Sequence, residues 1–416
     1  MVQPKKKKIL MMSDHALSTS GVGCQSRYLI EGLLRKGCWS VRQFGAAMKH
    51  DNDDVISVND DFIIKPITGF GNHDMLIQAI ASEKPDVLLL FTDPRFFIYV
   101  WEMHDEISKV CPIAYWHVWD NRPAPKYNRV LYEATDLVNC HSYLTYEMVN
   151  ELIPKKANFI PHALPQEVFF PIPEQASKDL RRQIIGPERQ DHFVVFWVNR
   201  NARRKRPADV LNSWSKFMTK LKADGKKDAT LLMHTDPIDN EGPNLLVCTE
   251  HLGIVDSVVF SNQRVEFERM NVLHNISDCN LNIAYAEGFG LATLEAMQVG
   301  KPIIALKTGG LTRQVVDHRD GSENGIALPV EMQSLVGSQL VPYIYEDYVS
   351  TDTVADALYE MYLWGPEKRK MMGTKAREYV LSEFNIETTI DMWHESLWDL
   401  CENWKIDEKF VVEEVV

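Results

Sequence analysis

Glu287 and Glu295 stand eight positions apart in the run Ala286-Glu287-Gly288-Phe289-Gly290-Leu291-Ala292-Thr293-Leu294-Glu295-Ala296-Met297. A glycine-flanked turn and the start of an apolar helix separate them. Free N–H groups and the helix dipole favour an anion at such a helix start. Carboxylates accept hydrogen bonds from sugar hydroxyls. The residue types and their spacing therefore suit a phosphate with hydroxyl-rich groups on either side. For either glutamate alone, the bland alternative is a helix cap or a surface carboxylate.

A second cluster is Asn199-Arg200-Asn201-Ala202-Arg203-Arg204-Lys205-Arg206, in which five of the last seven residues are basic. Arginine offers a planar fork to phosphate oxygens and lysine a point charge. A diphosphate is dense enough in charge to use two such groups. Arg200 and Lys205 are the expected contacts, with Arg203, Arg204 and Arg206 facing solvent. The alternative is a solvated basic loop or a localisation-like patch.

Both clusters need strands and helices to hold them. Strand-like runs at 9–12, 39–44, 86–91, 113–116, 137–140 and 158–160 alternate with helical patterns at 24–36 and 73–83. A proline-rich linker spans 161–165 and 171–173. A second series has strands at 193–198, 230–233, 258–260, 279–284 and 303–306, with helices at 206–221 and 266–276. Such βα alternation implies parallel sheets covered by helices on both faces. The C-terminal end reads as helices at 354–363, 368–383 and 386–404, followed by a loose tail from 408. Trp393, Leu397, Trp398 and Leu400 recur at helical spacing and read as packing.

The chain has 416 residues, enough for two or three cores, with 45% hydrophobic and 25% charged residues, as in soluble globular proteins. A formal charge of −13 argues against nucleic acid as a partner. Seven cysteines without CxxC pairs indicate neither a zinc site nor a disulfide framework, and point to a reducing, cytoplasmic setting. No apolar run reaches membrane-spanning length. Lys5 to Lys8 reads as a solvated flank. A weak peripheral membrane contact is the rival reading, and stable anchoring takes two signals.

Residues 287–305, E-G-F-G-L-A-T-L-E-A-M-Q-V-G-K-P-I-I-A, resemble the E-x7-E fingerprint of the retaining glycosyltransferases of family 4. Ser20-Gly21-Val22-Gly23 resembles that family's first glycine loop. Arg200 and Lys205 resemble its diphosphate-gripping pair. Residues 252–258 resemble the segment ahead of its nucleobase-contacting strand, and 324–329 the glycine turn after the fingerprint. The resemblance implies an α/β chain of two facing Rossmann-like doubly wound domains, the B-type glycosyltransferase fold, with an interdomain cleft. The acceptor-side domain would span 1–170, joined by the C-terminal helix 386–416. The nucleotide-sugar domain would span 171–385.

The same resemblance implies roles. Glu287 accepts from the transferred sugar, and Glu295 binds the ribose. Gly21, Gly23, Arg200, Lys205 and the backbone of Phe289, Gly290 and Leu291 face the donor diphosphate. In the first domain either His117 or Asp120, in Trp116-His117-Val118-Trp119-Asp120, takes the family's catalytic position, and Ser142 resembles a serine after the following strand. Arg313 departs from the pattern by standing where a glutamate is expected, which bears on sugar or acceptor preference. The implied reaction is retaining transfer of a hexose from a UDP- or GDP-sugar to a hydroxyl on a glycan, lipid or protein. No cofactor or metal is implied. Asp51-Asn52-Asp53 fits a DxD string but lies in a polar loop apart from the other site residues. The rival readings are a nucleotide-sugar epimerase on the same fold and an inactive sugar-nucleotide-binding scaffold.

Overall fold

The computed structural model describes residues 6–47, 54–262 and 267–406, with the side chains of 267 and 268 left aside. Lys5, the Asp51–Asp53 string, Glu266 and the tail from 408 lie outside the described residues. The chain divides into two compact units. One comprises residues 1–119, 124–162 and 387–416; the other comprises 120–123 and 163–386. The division falls at His162, earlier than residue 170, and the short piece Asp120–Pro123 belongs with the second unit.

The first unit is built on β1 (Lys7–Asp14), β2 (Trp39–Ala46), β3 (Ile56–Asn59), β4 (Phe62–Pro66), β5 (Val87–Thr92), β6 (Ile113–His117), β7 (Leu137–Cys140) and β8 (Ala157–Phe159). Their order is β3-β4-β2-β1-β5-β6-β7-β8, parallel except for the β3–β4 pair. Leu88 to Phe91 are buried on both faces, as a covered parallel strand requires. The helix Ile386–Asn403 packs on this unit. Trp39 Nε1 donates to His394 Nδ1 at 2.9 Å, and the Trp116 and Trp393 rings lie 4.7 Å apart. Gly32 lets that helix come close, since a Cβ there would sit 2.4 Å from Ile390.

The second unit is built on β9 (Phe193–Val198), β10 (Ala229–His234), β11 (Val258–Ser261), β12 (Cys279–Asn282), β13 (Ile303–Leu306) and β14 (Gly325–Leu328). All are parallel, in the order β11-β10-β9-β12-β13-β14. The order reverses between β9 and β12. In an open α/β sheet, the crevice at the carboxyl ends of such a switch point is where ligands bind. The loops that leave β9 and β12 are the basic cluster and the Glu287 turn. The helix Pro207–Ala223 starts with proline at its first turn, where a missing N–H costs nothing. It buries Val210, Leu211, Trp214, Phe217 and Leu221 against β9, β10 and the helix Thr351–Leu363.

Strands β3, β4 and a later hairpin had no counterpart in the sequence pattern. An antiparallel hairpin, β15 (Met332–Val336) and β16 (Ile344–Tyr348), is inserted between β14 and the helix Thr351–Leu363.

Candidate functional site

The turn after β12 reaches the helix Leu291–Gln298 through Gly290, whose φ of 92° is left-handed backbone that suits glycine. No side chain caps this helix, so the N–H groups of its first turn face outward unclaimed by a cap. The carbonyls of Phe289 and Gly290 are engaged from behind. Gln314 Nε2 donates to them at 2.7 and 3.2 Å, and Thr293 Oγ1 donates to the Gly290 carbonyl at 2.7 Å. Gln314 is fully buried and is itself braced by Asn324, which donates to its carbonyl at 2.9 Å. The Gly309-Gly310 turn lies against the same backbone: Gly310 N–H donates to the Glu287 carbonyl at 2.9 Å.

Glu287 forms a largely buried ion pair with Lys205, which enters from the loop after β9. Burial pushes the Glu287 carboxyl up, but Lys205 and Arg204 more than offset this and hold it below the ordinary glutamate value. Burial pulls the Lys205 ammonium below the ordinary lysine value, with Glu287 opposing. Arg204 Nη1 donates to Asp120 Oδ2 at 3.2 Å and to the Ala286 carbonyl at 3.3 Å. Asp120, Arg204, Lys205 and Glu287 thus form one charged cluster in the second unit.

Of the other cations of the loop, Arg203 and Arg204 are exposed, as the sequence suggested, and Arg206 is not. Arg206 is buried, donates to Asp209 at 2.8 Å and to the Val349 carbonyl at 2.9 Å, and lies over the Tyr285 ring. Arg203 donates twice to Glu346 on β16, at 2.7 and 2.9 Å. Arg200 is exposed and pairs with Asp239 at 2.9 Å and Glu241 at 3.0 Å.

Glu295 accepts from His274 Nε2 at 2.8 Å. His274 is fully buried, edge-on to the Phe196 ring at 4.9 Å, so it fixes the carboxylate from below. His274, Gln314 and Glu346 carry no sequence signal of function. The first lies in an ordinary helix, the second beside the unexpected Arg313, and the third on the unforeseen hairpin. Arg313 itself turns to Glu383, at 2.8 Å, and to His318 at 2.9 Å.

In the first unit His117 closes β6. Its ring is buried, with Nδ1 3.1 Å from Tyr115 Oη and Nε2 2.8 Å from Tyr132 Oη. Burial, with His141 beside it, holds its pKa well below the ordinary histidine value, so the ring is neutral. Ser142 caps the helix Tyr143–Leu152 by accepting from Thr145 N. Gly21 and Gly23 open the helix Gly21–Arg35, capped by Ser20, whose Oγ accepts from Gly23 N at 2.9 Å and donates to Asp14 Oδ2 at 2.6 Å. A Cβ on Gly23 would meet Ser18 Oγ at 2.2 Å, which explains the glycine.

Among the described residues, no group of three or more His, Cys, Asp or Glu is placed to hold a metal ion. No described helix is long and apolar enough to cross a membrane.

The sequence model of a family described as "Glycosyl transferases group 1" matches residues 181–337, all within the second unit. N-acetyl-alpha-D-glucosaminyl L-malate synthase of Bacillus anthracis is 24% identical over 278 residues, 66% of this chain and 62% of that protein. D-inositol 3-phosphate glycosyltransferase of Stackebrandtia nassauensis is 30% identical over 171 residues, 40% of this chain and 37% of that protein. The matches thus span under two thirds of either relative. Among solved structures, sucrose-phosphate synthase of Thermosynechococcus elongatus has a TM-score of 0.72 at 18% identity, covering 95% of this chain and 99% of that one. HepE of Anabaena, in complex with UDP and glucose, has a TM-score of 0.69 at 15% identity, covering 94% and 99%.

Proposed function

We propose that this chain, whose residues 181–337 match the glycosyl transferases of group 1 and which has the B-type glycosyltransferase fold, moves a hexose from a nucleotide-diphosphate sugar to a hydroxyl acceptor with retention at the anomeric carbon. The observation that carries the reading is the Lys205–Glu287 pair beside the uncapped start of the helix Leu291–Gln298. A cation, a helix N-terminus and an ionised carboxylate meet at one switch point. The first two suit a leaving diphosphate, and the third accepts from sugar hydroxyls.

Lys205 and the N–H groups after Gly290 stabilise the leaving diphosphate, and Arg200 adds charge by exchanging its carboxylates for phosphate. This supply of positive charge supports a reaction without a metal. Glu295, oriented by His274, takes the ribose hydroxyls. The bond from the anomeric carbon to the donor phosphate breaks, and the acceptor hydroxyl attacks on the same face. Its proton passes to a phosphate oxygen of the leaving group. Glu287 is then a binding group and no covalent intermediate forms on it, unlike the nucleophile of a retaining glycosidase. Asp120, tied to Arg204, is the better candidate of the first-half pair to meet substrate, because the His117 ring is enclosed by tyrosines. The acceptor is a hydroxyl on a glycan, lipid or protein, and the setting is the cytoplasm.

The test is incubation with a panel of UDP-, GDP- and ADP-sugars, with and without candidate acceptors and with and without EDTA. Transfer with retained anomeric configuration supports the reading. Sugar interconversion without an acceptor would favour an epimerase, and tight donor binding without turnover a scaffold.

A further inference from the structure

We propose that the second unit carries another ligand site, for a small phosphate-bearing anion, at the amino ends of β9, β12 and β13. A cavity of about 1040 Å³ lies there, bounded by the helices Glu174–Ile185 and Gly365–Glu383. That is the size of a small-molecule site. It is at the opposite end of the sheet from the loops that hold Lys205 and Glu287, so it is independent of the proposed transfer site.

Seven Lys or Arg and six Asp or Glu side chains line this cavity, but they are not evenly spread. Lys301, Arg181 and Arg369 line it around one carboxylate, Asp278. Asp278 already accepts from Val194 N at 2.7 Å and pairs with Arg181 at 3.3 Å. Among the described residues Lys301 Nζ makes no hydrogen bond or close ion pair. Burial pulls its ammonium down to about 8, with Asp278 the main opposing charge. Arg369 is bound through Nη1 to the carbonyls of Met361 and Tyr362, at 3.2 and 3.1 Å, and rests 4.8 Å over the Phe193 ring. Its Nε is buried without a partner.

A buried donor left unpaired is costly, and native structures rarely keep one without a use. Here Arg369 Nε is such a donor, and the half-buried Lys301 ammonium lacks an acceptor beside the same cavity. The other carboxylates nearby do not supply the missing charge. Glu174 is engaged by Lys178 and Lys370, at 3.1 and 3.5 Å, and Asp228 takes the Tyr362 hydroxyl at 2.8 Å. Asp191, Glu367 and Glu378 are exposed on the rim. A tetrahedral dianion supplies several acceptors in a small volume and answers both cations at once.

The test uses the whole chain and two probes, inorganic phosphate and a sugar monophosphate, read by thermal shift and titration calorimetry against chloride at equal ionic strength. Binding is expected with at least one probe, and the probe that binds shows whether the ligand is the free ion or an ester. It should persist in Lys205→Gln, whose lesion is confined to the transfer site. It should weaken about tenfold or more in Lys301→Gln and in Arg369→Gln, as loss of a charge-assisted bond implies. Should Lys301→Gln not fold, Arg369→Gln decides alone. The site is refuted if neither probe exceeds chloride, or if binding vanishes in Lys205→Gln and survives in the variants of Lys301 and Arg369. Because Lys205→Gln also reports on donor binding, failure of this site and failure of the transfer site are read separately.

Discussion

Arg203 and Glu346 are joined by two parallel hydrogen bonds, 2.7 and 2.9 Å, that tie the loop after β9 to the β15–β16 hairpin. Glu346 is 7% exposed and also accepts from Tyr348 Oη at 2.8 Å. Burial pushes its carboxyl up, but Arg203 and Tyr348 more than offset this, so it is ionised. The hairpin therefore fixes the loop two residues before Lys205. Glu346→Gln should raise the KM for donor several-fold while changing kcat little, and Arg203→Met should do the same. The stability loss should be about 1 kcal/mol, at the low end for a charged hydrogen bond because Arg203 is mostly exposed. Steady-state kinetics and thermal unfolding measure the two effects.

Lys205→Met leaves Glu287 buried with Arg204 as its main remaining cation. Breaking such a pair should cost about 3 kcal/mol or more. The sign of its pH dependence follows from Glu287. Its pKa in the folded protein is below the ordinary 4.5, so the unfolded chain holds that proton more tightly. The contribution is complete above the ordinary value and is lost as pH falls through the lower folded one. In Lys205→Met the carboxyl pKa rises, and the acid limb of both stability and activity should move to higher pH. Thermal unfolding and turnover from pH 3 to 7 check this. An unmoved acid limb would mean that Lys205 does not set the charge of Glu287.

His274→Gln removes the imidazole below Glu295. Nucleoside diphosphate should bind about fivefold to tenfold more weakly, the effect of about 1 kcal/mol expected for one hydrogen bond. Calorimetry with the diphosphate measures it. Equal affinity would show that Glu295 needs no such support.

Gly309 has φ of 48°, and a Cβ there would lie 2.0 Å from the Glu287 carbonyl oxygen. Gly309→Ala should cost about 1–3 kcal/mol from backbone strain and displace Glu287 as well. Both the melting temperature and the kcat for donor should fall. The clash is with backbone, so side-chain rotation cannot relieve it.

Much of the second unit was legible because its signals are local. A buried apolar run, a glycine turn and a helix start announce β12 and the Glu287 site within about twenty residues. Pro207 marks its helix in the same way. The partners of the basic loop were not legible. Arg203 and Arg204 are paired with Glu346 and Asp120, more than eighty positions away in each case. Nothing in the spacing of charged residues encodes such encounters. The hairpin was hidden because Met332 and Leu335 are exposed, so its strands lack the alternating burial that reveals a core strand. His117 was misleading for a related reason: a histidine at a strand end has the same sequence signature whether its ring is open to ligand or bonded to two tyrosines.

Every cation of the loop after β9 is matched to its own carboxylate: Arg200 to Asp239, Arg203 to Glu346, Arg204 to Asp120, Lys205 to Glu287 and Arg206 to Asp209. Nucleic acid binds largely because free Lys and Arg side chains neutralise its phosphates and release the cations condensed on it. A loop whose cations are already paired offers it little. A ligand that enters must replace carboxylates as acceptor and also give those carboxylates new donors. Phosphate alone does the first, and a polyol alone does the second. Selectivity for a molecule that is part anion and part hydroxyl donor is therefore already written into the resting pairing of the loop.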